Sequence, residues 1–250
     1  MKSTTVIKLG GSALDNLDPL LDFVQRCEGE SVVLIHGGGP QISDYLSRLG
    51  HQPKFTNGLR VTDDQTLEVV EMVLCGQVNK ALVTALQSRG VDAVGVSGPD
   101  GGTLKAPLKA EGALGHVGDT PQVNTDLLEG LLHLGFTPVL APLSLNAEST
   151  GHLNVNADTT AAAVAVALGA TRLVFLTDVA GVLDRSGQVL TELSDADIDS
   201  LTSDGTISVG MFPKLEAALH AVGQGVATVE IRSPEPGPGT ILKKGTSSLV

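Results

Sequence analysis

Short apolar stretches typical of strands alternate along this chain with longer stretches that repeat apolar positions at helical spacing. The run SVVLI at residues 31–35 suits a strand buried on both faces, whereas residues 64–87 predict one long helix. Further strands are predicted at residues 5–9, 93–96, 138–143, 172–177 and 227–231, and further helices at residues 17–27, 42–49, 126–134, 157–168 and 215–222. This alternation predicts an α/β fold with a mostly parallel central sheet.

Two of the predicted strands end in glycine clusters. Gly10 and Gly11 follow VIKL, and residues 37–39 follow VVLIH. In parallel sheets ligands bind beyond the carboxyl ends of the strands, and a glycine turn there lets backbone N–H groups approach an anion. A tight turn without a ligand is the alternative for each cluster. The motifs GxxxxGK[ST] and GxGxxG are absent, which argues against a P-loop and a dinucleotide-binding turn.

Composition excludes several classes of function. The formal net charge is −12, aromatic residues make up 2% and tryptophan is absent, so the chain lacks the basic surface and stacking platforms of a nucleic-acid binder. No apolar run reaches the roughly 18 residues that a membrane span needs, and no signal-peptide pattern develops at the N-terminus. Cys27 and Cys75 form no CxxC and no Cys/His cluster. We therefore expect a cytoplasmic protein without a membrane or nucleic-acid partner.

Eight short motifs follow one another along most of the chain. They are IKLGGS with Lys8, HGGGP at 36–40, NGLRVTD at 57–63, MVLCGQVNK at 72–80, GHVGD at 115–119, NVNADTTAAAVA at 154–165, LTDVAGVLD at 176–184 and GMFPKLEAA at 210–218. In this order and spacing they resemble the amino acid kinase family. NGLRVTD and NVNAD resemble most specifically the branch of that family that phosphorylates N-acetyl-L-glutamate.

The resemblance implies a fold and a reaction. The fold is a three-layer αβα sandwich in a single domain of residues 1–250, with an N-lobe at about 1–170 for the acceptor and the homodimer contact and a C-lobe at about 171–250 for ATP. The reaction is ATP-dependent phosphorylation of the side-chain carboxylate of N-acetyl-L-glutamate in arginine biosynthesis. A carboxylate with a pKa near about 4.3 is already ionised, so catalysis rests on positioning and charge compensation rather than on a general base.

Three ionisable residues are implied to be catalytic. By the resemblance, Lys8 and Lys214 stabilise charge on the transferred phosphoryl group, and Asp158 orients both lysines through charge-assisted hydrogen bonds. The alternatives are that the lysines are solvated at the surface and that Asp158 caps the N-terminus of an alanine-rich helix. Lys8 interrupts an otherwise apolar strand, which argues against a surface position.

The acceptor residues implied by the resemblance surround a carboxylate and an acetamide. Gly37 and Gly38 provide N–H donors to the γ-phosphoryl group in transfer. Arg60 clamps the α-carboxylate of the acceptor in a bidentate manner, which suits guanidinium geometry; its alternative is a surface ion pair with a nearby aspartate. Asn154 hydrogen-bonds the region of the acetylated α-nitrogen.

A further set of residues is implied to bind ATP. Mg²⁺ is expected to arrive with the nucleotide, held chiefly by phosphates and water rather than by a protein metal site. His36, which precedes the second glycine cluster, is interpreted as structural. The nucleotide residues are Gly10, Gly11, Thr177, Asp178, Gly181, Val182, Gly210 and Met211.

Two other functions remain open. One is a kinase of the same fold that acts on an aminoadipate or glutamate carboxylate linked to a carrier protein in lysine or arginine biosynthesis. Such carriers tend to be acidic, so a kinase with a net charge of −12 lacks the expected complementary charge. The other is a non-catalytic amino acid sensor, against which the presence of Lys8, Asp158 and Lys214 argues.

Overall fold

The computed structural model describes residues 2–10, 16–203, 205–207 and 211–243. The strands are β1 (Thr4–Leu9), β2 (Ser31–His36), β3 (Phe55–Thr56), β4 (Leu59–Arg60), β5 (Ala93–Ser97), β6 (Leu104–Ala106), β7 (Val117–Gly118), β8 (Gln122–Val123), β9 (Thr137–Ala141), β10 (Leu143–Asn146), β11 (His152–Val155), β12 (Arg172–Leu176), β13 (Glu192–Leu193), β14 (Thr228–Arg232) and β15 (Thr240–Leu242). The helices are α1 (Asp18–Arg26), α2 (Gly39–Arg48), α3 (Asp64–Glu71), α4 (Asn79–Ser88), α5 (Asp126–His133), α6 (Ala157–Ala167), α7 (Asp195–Ser203) and α8 (Phe212–Gly223).

The central sheet has the strand order β13-β15-β14-β12-β1-β2-β9-β5. Its strands from β14 to β5 all pair in parallel, and β15 joins β14 antiparallel. The prediction of an α/β fold with a mostly parallel sheet is therefore confirmed. The carboxyl ends of β1, β2 and β12 lie side by side, which brings the segments that follow these strands to one edge of the sheet.

Two apolar cores lie on opposite faces of this sheet and make it the middle of three layers. One core contains side chains of α1 to α4, and the other contains side chains of α5 to α8. In β1, Val6 belongs to the second core, whereas Ile7 and Leu9 belong to the first. Because successive side chains of a strand point to opposite faces, Lys8 lies on the same side as Val6, toward α6 and α8.

The predicted long helix is confirmed and contains an irregularity. Helix Asp64–Ser88 runs for 25 residues, with a π-helical segment at Met72–Val78 between α3 and α4. By length and composition it could cross a membrane, but apolar side chains along it, such as Leu82 and Leu86, are buried in the core. It is thus placed as the core helix of a globular domain. The sequence pattern does not predict the π-helical segment.

A second sheet and a small hairpin were missed by the sequence pattern. The second sheet has the order β7-β11-β10-β6-β8, and β3 pairs with β4 as an antiparallel hairpin. The strand predicted over residues 138–143 is in fact divided at Pro142, with its first part in the central sheet and the rest in the second sheet. These short strands carry residues across the carboxyl edge of the central sheet, where a cavity lined by Lys8 and Arg60 lies.

Candidate active site

A cavity of about 270 Å³ lies at the carboxyl edge of β1 and β2. The residues that line it include five that were predicted from the sequence, namely Lys8, Gly37, Gly38, Arg60 and Asn154. A larger cavity of about 340 Å³ between α3 and the second sheet is lined by no lysine or arginine. The smaller cavity is therefore the better candidate for anionic ligands.

Three charged residues from separate elements meet beside this cavity. The Nζ atom of Lys8 lies 2.8 Å from Oδ1 of Asp158, and the Nζ atom of Lys214 lies 3.2 Å from the same oxygen and 3.4 Å from Oδ2. Each residue is only 7% exposed. The alternative of solvated surface lysines is thus wrong, and β1, α6 and α8 hold the three groups together.

The electrostatics of this cluster leave a positive charge unbalanced. Burial alone would raise the pKa of Asp158, but the charges of Lys8 and Lys214 outweigh it, so the pKa lies below its ordinary value. Burial, assisted by the charge of Lys8 and opposed by Asp158, lowers the pKa of Lys214. Two ammonium groups share one carboxylate, which favours an anion nearby. Both ammonium groups are thus in contact with one carboxylate.

The start of α6 explains why the Asp158 side chain is available. Asn156 is the N-cap residue, and its Oδ1 accepts hydrogen bonds from the backbone N–H groups of Asp158 and Thr159. The alternative that Asp158 caps this helix is therefore wrong. Its carboxylate projects from the first helical turn instead, toward the lysines.

The glycine turns differ in which backbone donors they leave free. The N–H of Gly37 donates to the Leu9 carbonyl at 3.0 Å, and the N–H of Gly10 donates to the Leu176 carbonyl at 3.1 Å, so both extend the pairing of the sheet. Within the described part of the chain, the N–H of Gly38 has no acceptor. Gly11 lies outside the described residues.

Gly38 is also the position where the π-helical segment presses on the turn. A Cβ atom at Gly38 would lie 2.6 Å from Cδ2 of Leu74. Leu74 and Gly38 both line the cavity. Glycine at this position therefore lets the helix and the turn come close enough to form one wall of the site.

Arg60 is buried in the cavity wall with part of its guanidinium unused. Its Nη2 atom donates to the Gly39 carbonyl at 2.8 Å and to the Ser43 hydroxyl at 2.9 Å, and its guanidinium lies 4.7 Å from the centre of the Phe55 ring. Among the described atoms, Nη1 is buried without a partner. The alternative of a surface ion pair does not form among the described residues, because Asp63 caps α3 and Asp64 pairs with His116.

The amide of Asn154 is held in one orientation by a residue that the sequence reasoning missed. Nδ2 of Asn154 lies 3.2 Å from the Thr62 hydroxyl oxygen, and that hydroxyl donates in turn to the Arg60 carbonyl at 3.1 Å. The Thr62 oxygen must therefore accept from the Asn154 amide nitrogen, which leaves Oδ1 as the acceptor toward a ligand. The only sequence signal for Thr62, which is fully buried, was its place in NGLRVTD.

The described members of the predicted nucleotide set lie outside the lining of the 270 Å³ cavity. Thr177 and Asp178 follow β12, where the Thr177 hydroxyl donates to the Asp178 carboxylate at 3.0 Å. The backbone N–H of Val182 donates to the Thr240 hydroxyl at 2.8 Å, and a Cβ at Gly181 would approach the same hydroxyl oxygen to 2.6 Å. Met211 immediately precedes α8, the helix that carries Lys214, and Gly210 lies outside the described residues.

Comparison with known proteins places this arrangement among kinases. A model of the amino acid kinase family matches residues 3–233. The acetylglutamate kinase of Methanopyrus kandleri is 45% identical over 250 residues, covering 95% of this chain and 99% of the relative. The acetylglutamate kinase of Geobacillus kaustophilus is 45% identical over 249 residues, covering 98% and 95%. Among solved structures, smu.665 from Streptococcus mutans superposes with a TM-score of 0.89 at 33% identity, covering 97% of this chain and 99% of that one.

Proposed function

Because the chain belongs to the amino acid kinase family, we propose that it transfers the γ-phosphoryl group of ATP to the side-chain carboxylate of N-acetyl-L-glutamate. The relatives named acetylglutamate kinase, which align along nearly the whole chain, support this substrate. One structural observation carries the proposal: Lys8 and Arg60 line the same cavity, and Nη1 of Arg60 has no partner among the described residues. That cavity thus offers separate cations to the two anionic ends of a transfer between a phosphate and a dicarboxylate.

The reaction needs charge compensation more than proton transfer. A carboxylate oxygen of the acceptor forms the new bond to the γ-phosphorus while the bond to the bridging oxygen of ADP breaks, and no proton is exchanged. Lys8 and Lys214 compensate the negative charge that gathers on the phosphoryl oxygens. Asp158, already engaged by both ammonium groups, keeps them in place. The Gly38 N–H supplies a further donor, while Gly37, whose N–H is bonded in the sheet, allows close approach.

The acceptor is oriented by its other two polar groups. Nη1 of Arg60 binds the α-carboxylate. Since both hydrogens of Nη2 are used by Gly39 and Ser43, and the Nε–H points to the Nη2 side of the guanidinium, Nη1 makes this contact alone rather than in the bidentate manner that the resemblance implies. Oδ1 of Asn154 accepts the acetamido N–H, in agreement with the amide orientation that Thr62 imposes. These two contacts leave the side-chain carboxylate of the acceptor directed at Lys8.

ATP is proposed to bind at the carboxyl edge of β12 and the start of α8. Gly10, with the residues at 177–182 and Met211, would contact the nucleotide, and residues from about 171 onward form the proposed ATP lobe beside an acceptor lobe at about 1–170. Mg²⁺ suits a site where the phosphates supply its ligands, since both oxygens of Asp158 are already engaged. When bound, it would neutralise charge on the phosphates.

Further parts of the proposal concern the cellular setting. The names of the relatives support a place in arginine biosynthesis. We also propose that the protein is a cytoplasmic homodimer and that the contact between its subunits lies in the N-lobe. Light scattering coupled to size-exclusion chromatography measures the mass directly: about twice the 25.6 kDa of one chain is expected, and the mass of a single chain would overturn the dimer.

The test of the reaction is acyl-phosphate formation trapped as hydroxamate. Free N-acetyl-L-glutamate, L-glutamate, N-acetyl-L-aspartate and L-aspartate are offered in parallel with ATP and Mg²⁺. Turnover with N-acetyl-L-glutamate, at least about tenfold above each other acid, is expected because Arg60 and Asn154 require both the carboxylate spacing and the acetamide. Folded protein that binds ATP but phosphorylates none of these acids would contradict the proposal and favour a carrier-linked acceptor or a sensor.

A further inference from the structure

A buried histidine lies directly behind the glycine turn of the site. His36 is the last residue of β2 and has no exposed surface. Its Nδ1 atom lies 2.9 Å from the carbonyl oxygen of Gly37, and its Nε2 atom lies 3.2 Å from Nδ2 of Asn79. The imidazole therefore joins the turn to the first residue of α4.

The hydrogen bonds of Asn79 decide which ring nitrogen carries the proton. Nδ2 of Asn79 also donates to the Val139 carbonyl at 2.8 Å, and Oδ1 accepts from Nζ of Lys80 at 3.0 Å. Both contacts place the amide nitrogen, a donor, against His36. Nε2 of His36 must then accept, so the proton is on Nδ1 and is donated to the Gly37 carbonyl.

The surroundings keep this arrangement neutral and tightly packed. Burial is the main influence that lowers the pKa of His36 to about 4, so the single-proton form persists at neutral pH. On the other side of the amide, Gly95 leaves room for the network, since a Cβ there would lie 1.9 Å from Oδ1 of Asn79 and 2.7 Å from Nζ of Lys80. The Asn79 side chain thus has little freedom to turn.

The peptide between Gly37 and Gly38 connects this network to the cavity. In a trans peptide the C=O of one residue and the N–H of the next point in opposite directions in one plane. The Gly37 carbonyl is turned toward the buried imidazole, so the Gly38 N–H points the other way. Gly38 lines the cavity and, among the described residues, its N–H has no acceptor.

We propose that His36 is a positioning residue for phosphoryl transfer, which anchors the Gly37 carbonyl and thereby aims the Gly38 N–H at the transferred phosphoryl group, with Asn79 setting its tautomer. The inference rests on the proposed function and deepens it. It assigns a role to the histidine of HGGGP and to the asparagine of MVLCGQVNK. Because a preorganised donor acts mainly on charge that develops during transfer, His36 should affect kcat rather than substrate affinity.

Two variants of His36 separate this role from packing. In His36→Asn the side-chain amide nitrogen can occupy the place of Nδ1 and donate to Gly37, whereas His36→Leu puts a methyl group there. Both variants lose the Nε2 acceptor of Asn79 equally, so only the donor to the Gly37 carbonyl distinguishes them. We expect kcat for N-acetyl-L-glutamate to be at least about tenfold lower in His36→Leu than in His36→Asn, with KM values for both substrates within about threefold.

A second readout compares a planar mimic of the phosphoryl group with a ground-state analogue. Binding of ADP with aluminium fluoride and N-acetyl-L-glutamate should weaken at least about tenfold in His36→Leu relative to His36→Asn, while binding of a non-hydrolysable ATP analogue stays within about threefold. Equal kcat values and equal affinities for the mimic in the two folded variants would overturn the proposal.

A measurement on the unaltered protein keeps the inference testable if neither variant folds. The chain has six histidines, few enough for their ring nitrogens to be resolved by nitrogen-15 NMR without a folded variant of His36. At pH 7, a protonated Nδ1 and an unprotonated Nε2 are expected for the buried ring, and the opposite tautomer would overturn the proposal. Wild-type protein that phosphorylates no free acid would instead refute the proposed function, whatever the tautomer.

Discussion

The two ends of the active-site cavity are built on different principles. At the proposed phosphoryl end, Lys8 and Lys214 are paired with Asp158, and all three are carried by the central sheet or by helices packed on it. At the proposed acceptor end, the described partners of Arg60 are neutral oxygens and an aromatic ring, and Nη1 of its buried guanidinium is without a partner among the described residues. One end is thus organised before a ligand binds, while the proposed function has the other completed by a ligand carboxylate.

The contrast indicates that the two ends have different roles. Groups whose charge is held in place by their own partner are suited to stabilise a transition state, because they need no reorganisation when charge develops. A buried cation left without a partner favours binding of an anion in the ground state as well. Changes at the phosphoryl end should therefore lower kcat, and changes at the acceptor end should raise KM for the acceptor.

The largest effect is expected from Lys8→Met, which keeps the length of the side chain but removes its charge. Loss of one preorganised donor lowers kcat by about 100- to 1,000-fold, while KM for N-acetyl-L-glutamate stays within about threefold. Steady-state kinetics measure both, with Lys105→Met at an exposed position as the control. A raised KM with an unchanged kcat would contradict the expectation that changes at the Lys8 end act on kcat and changes at the Arg60 end act on KM.

Arg60→Met should give the opposite pattern. A hydrogen bond to a charged group contributes about 1.5–3 kcal/mol, so KM for N-acetyl-L-glutamate should rise about 10- to 100-fold, with kcat and KM for ATP within about threefold. Arg48→Met is the matched control, because the guanidinium of Arg48 also lies 4.7 Å from an aromatic ring, that of Tyr45, but outside the cavity. An unchanged KM in the Arg60 variant would show that Arg60 does not bind the acceptor.

Acid stability should distinguish the neutral histidine from the charged cluster. The pKa of His36 is about 4 in the folded protein and ordinarily 6.5, so between these pH values the unfolded chain binds more protons and stability falls as the pH falls. From pH 7.5 to pH 5 this costs about 2 kcal/mol in the free energy of unfolding. The carboxylate of Asp158, whose pKa is lowered below 3.8, contributes nothing to the change in this window.

Urea unfolding at the two pH values measures this difference. His36→Asn should lose about 2 kcal/mol less stability on acidification than the wild type, since it lacks the titrating group. The other titrating groups act equally in both proteins. An identical loss in the two proteins would show that His36 does not carry the acid sensitivity.

The smallest effect concerns the orientation of the Asn154 amide. Thr62→Val removes the hydroxyl that holds Nδ2, so the amide can turn and present either face to the acceptor. The preference for N-acetyl-L-glutamate over its ester analogue 2-acetoxyglutarate, which lacks the N–H, should fall about tenfold in kcat/KM. Thr62→Ser keeps the hydroxyl and serves as control. An unchanged preference in the valine variant would show that Thr62 does not orient Asn154.

Much of the fold was accessible from the sequence because strands of five or six residues and helices of two or more turns leave a periodic signal. The helices predicted at residues 42–49 and 215–222 begin a few residues earlier in the structure, each with a proline in the first turn. The second sheet was missed because strands of two to four residues are too short to show a period. Helix α7, at Asp195–Ser203, was also missed; its weakly apolar sequence buries Ile198 alone among its residues.

The order of the amino acids already specifies the alternation of strands and helices, the glycines at strand ends and the unusual lysine within the apolar first strand. Which groups meet and which are free depends on three-dimensional packing. Lys214 and Asp158 are 56 residues apart along the chain and touch because α6 and α8 pack on the same face of the sheet. Likewise, the N–H of Gly37 is used in strand pairing, whereas the N–H of Gly38 has no acceptor in the described part of the chain, because the hydrogen-bonding state of a backbone group depends on the neighbouring strand rather than on the residue itself.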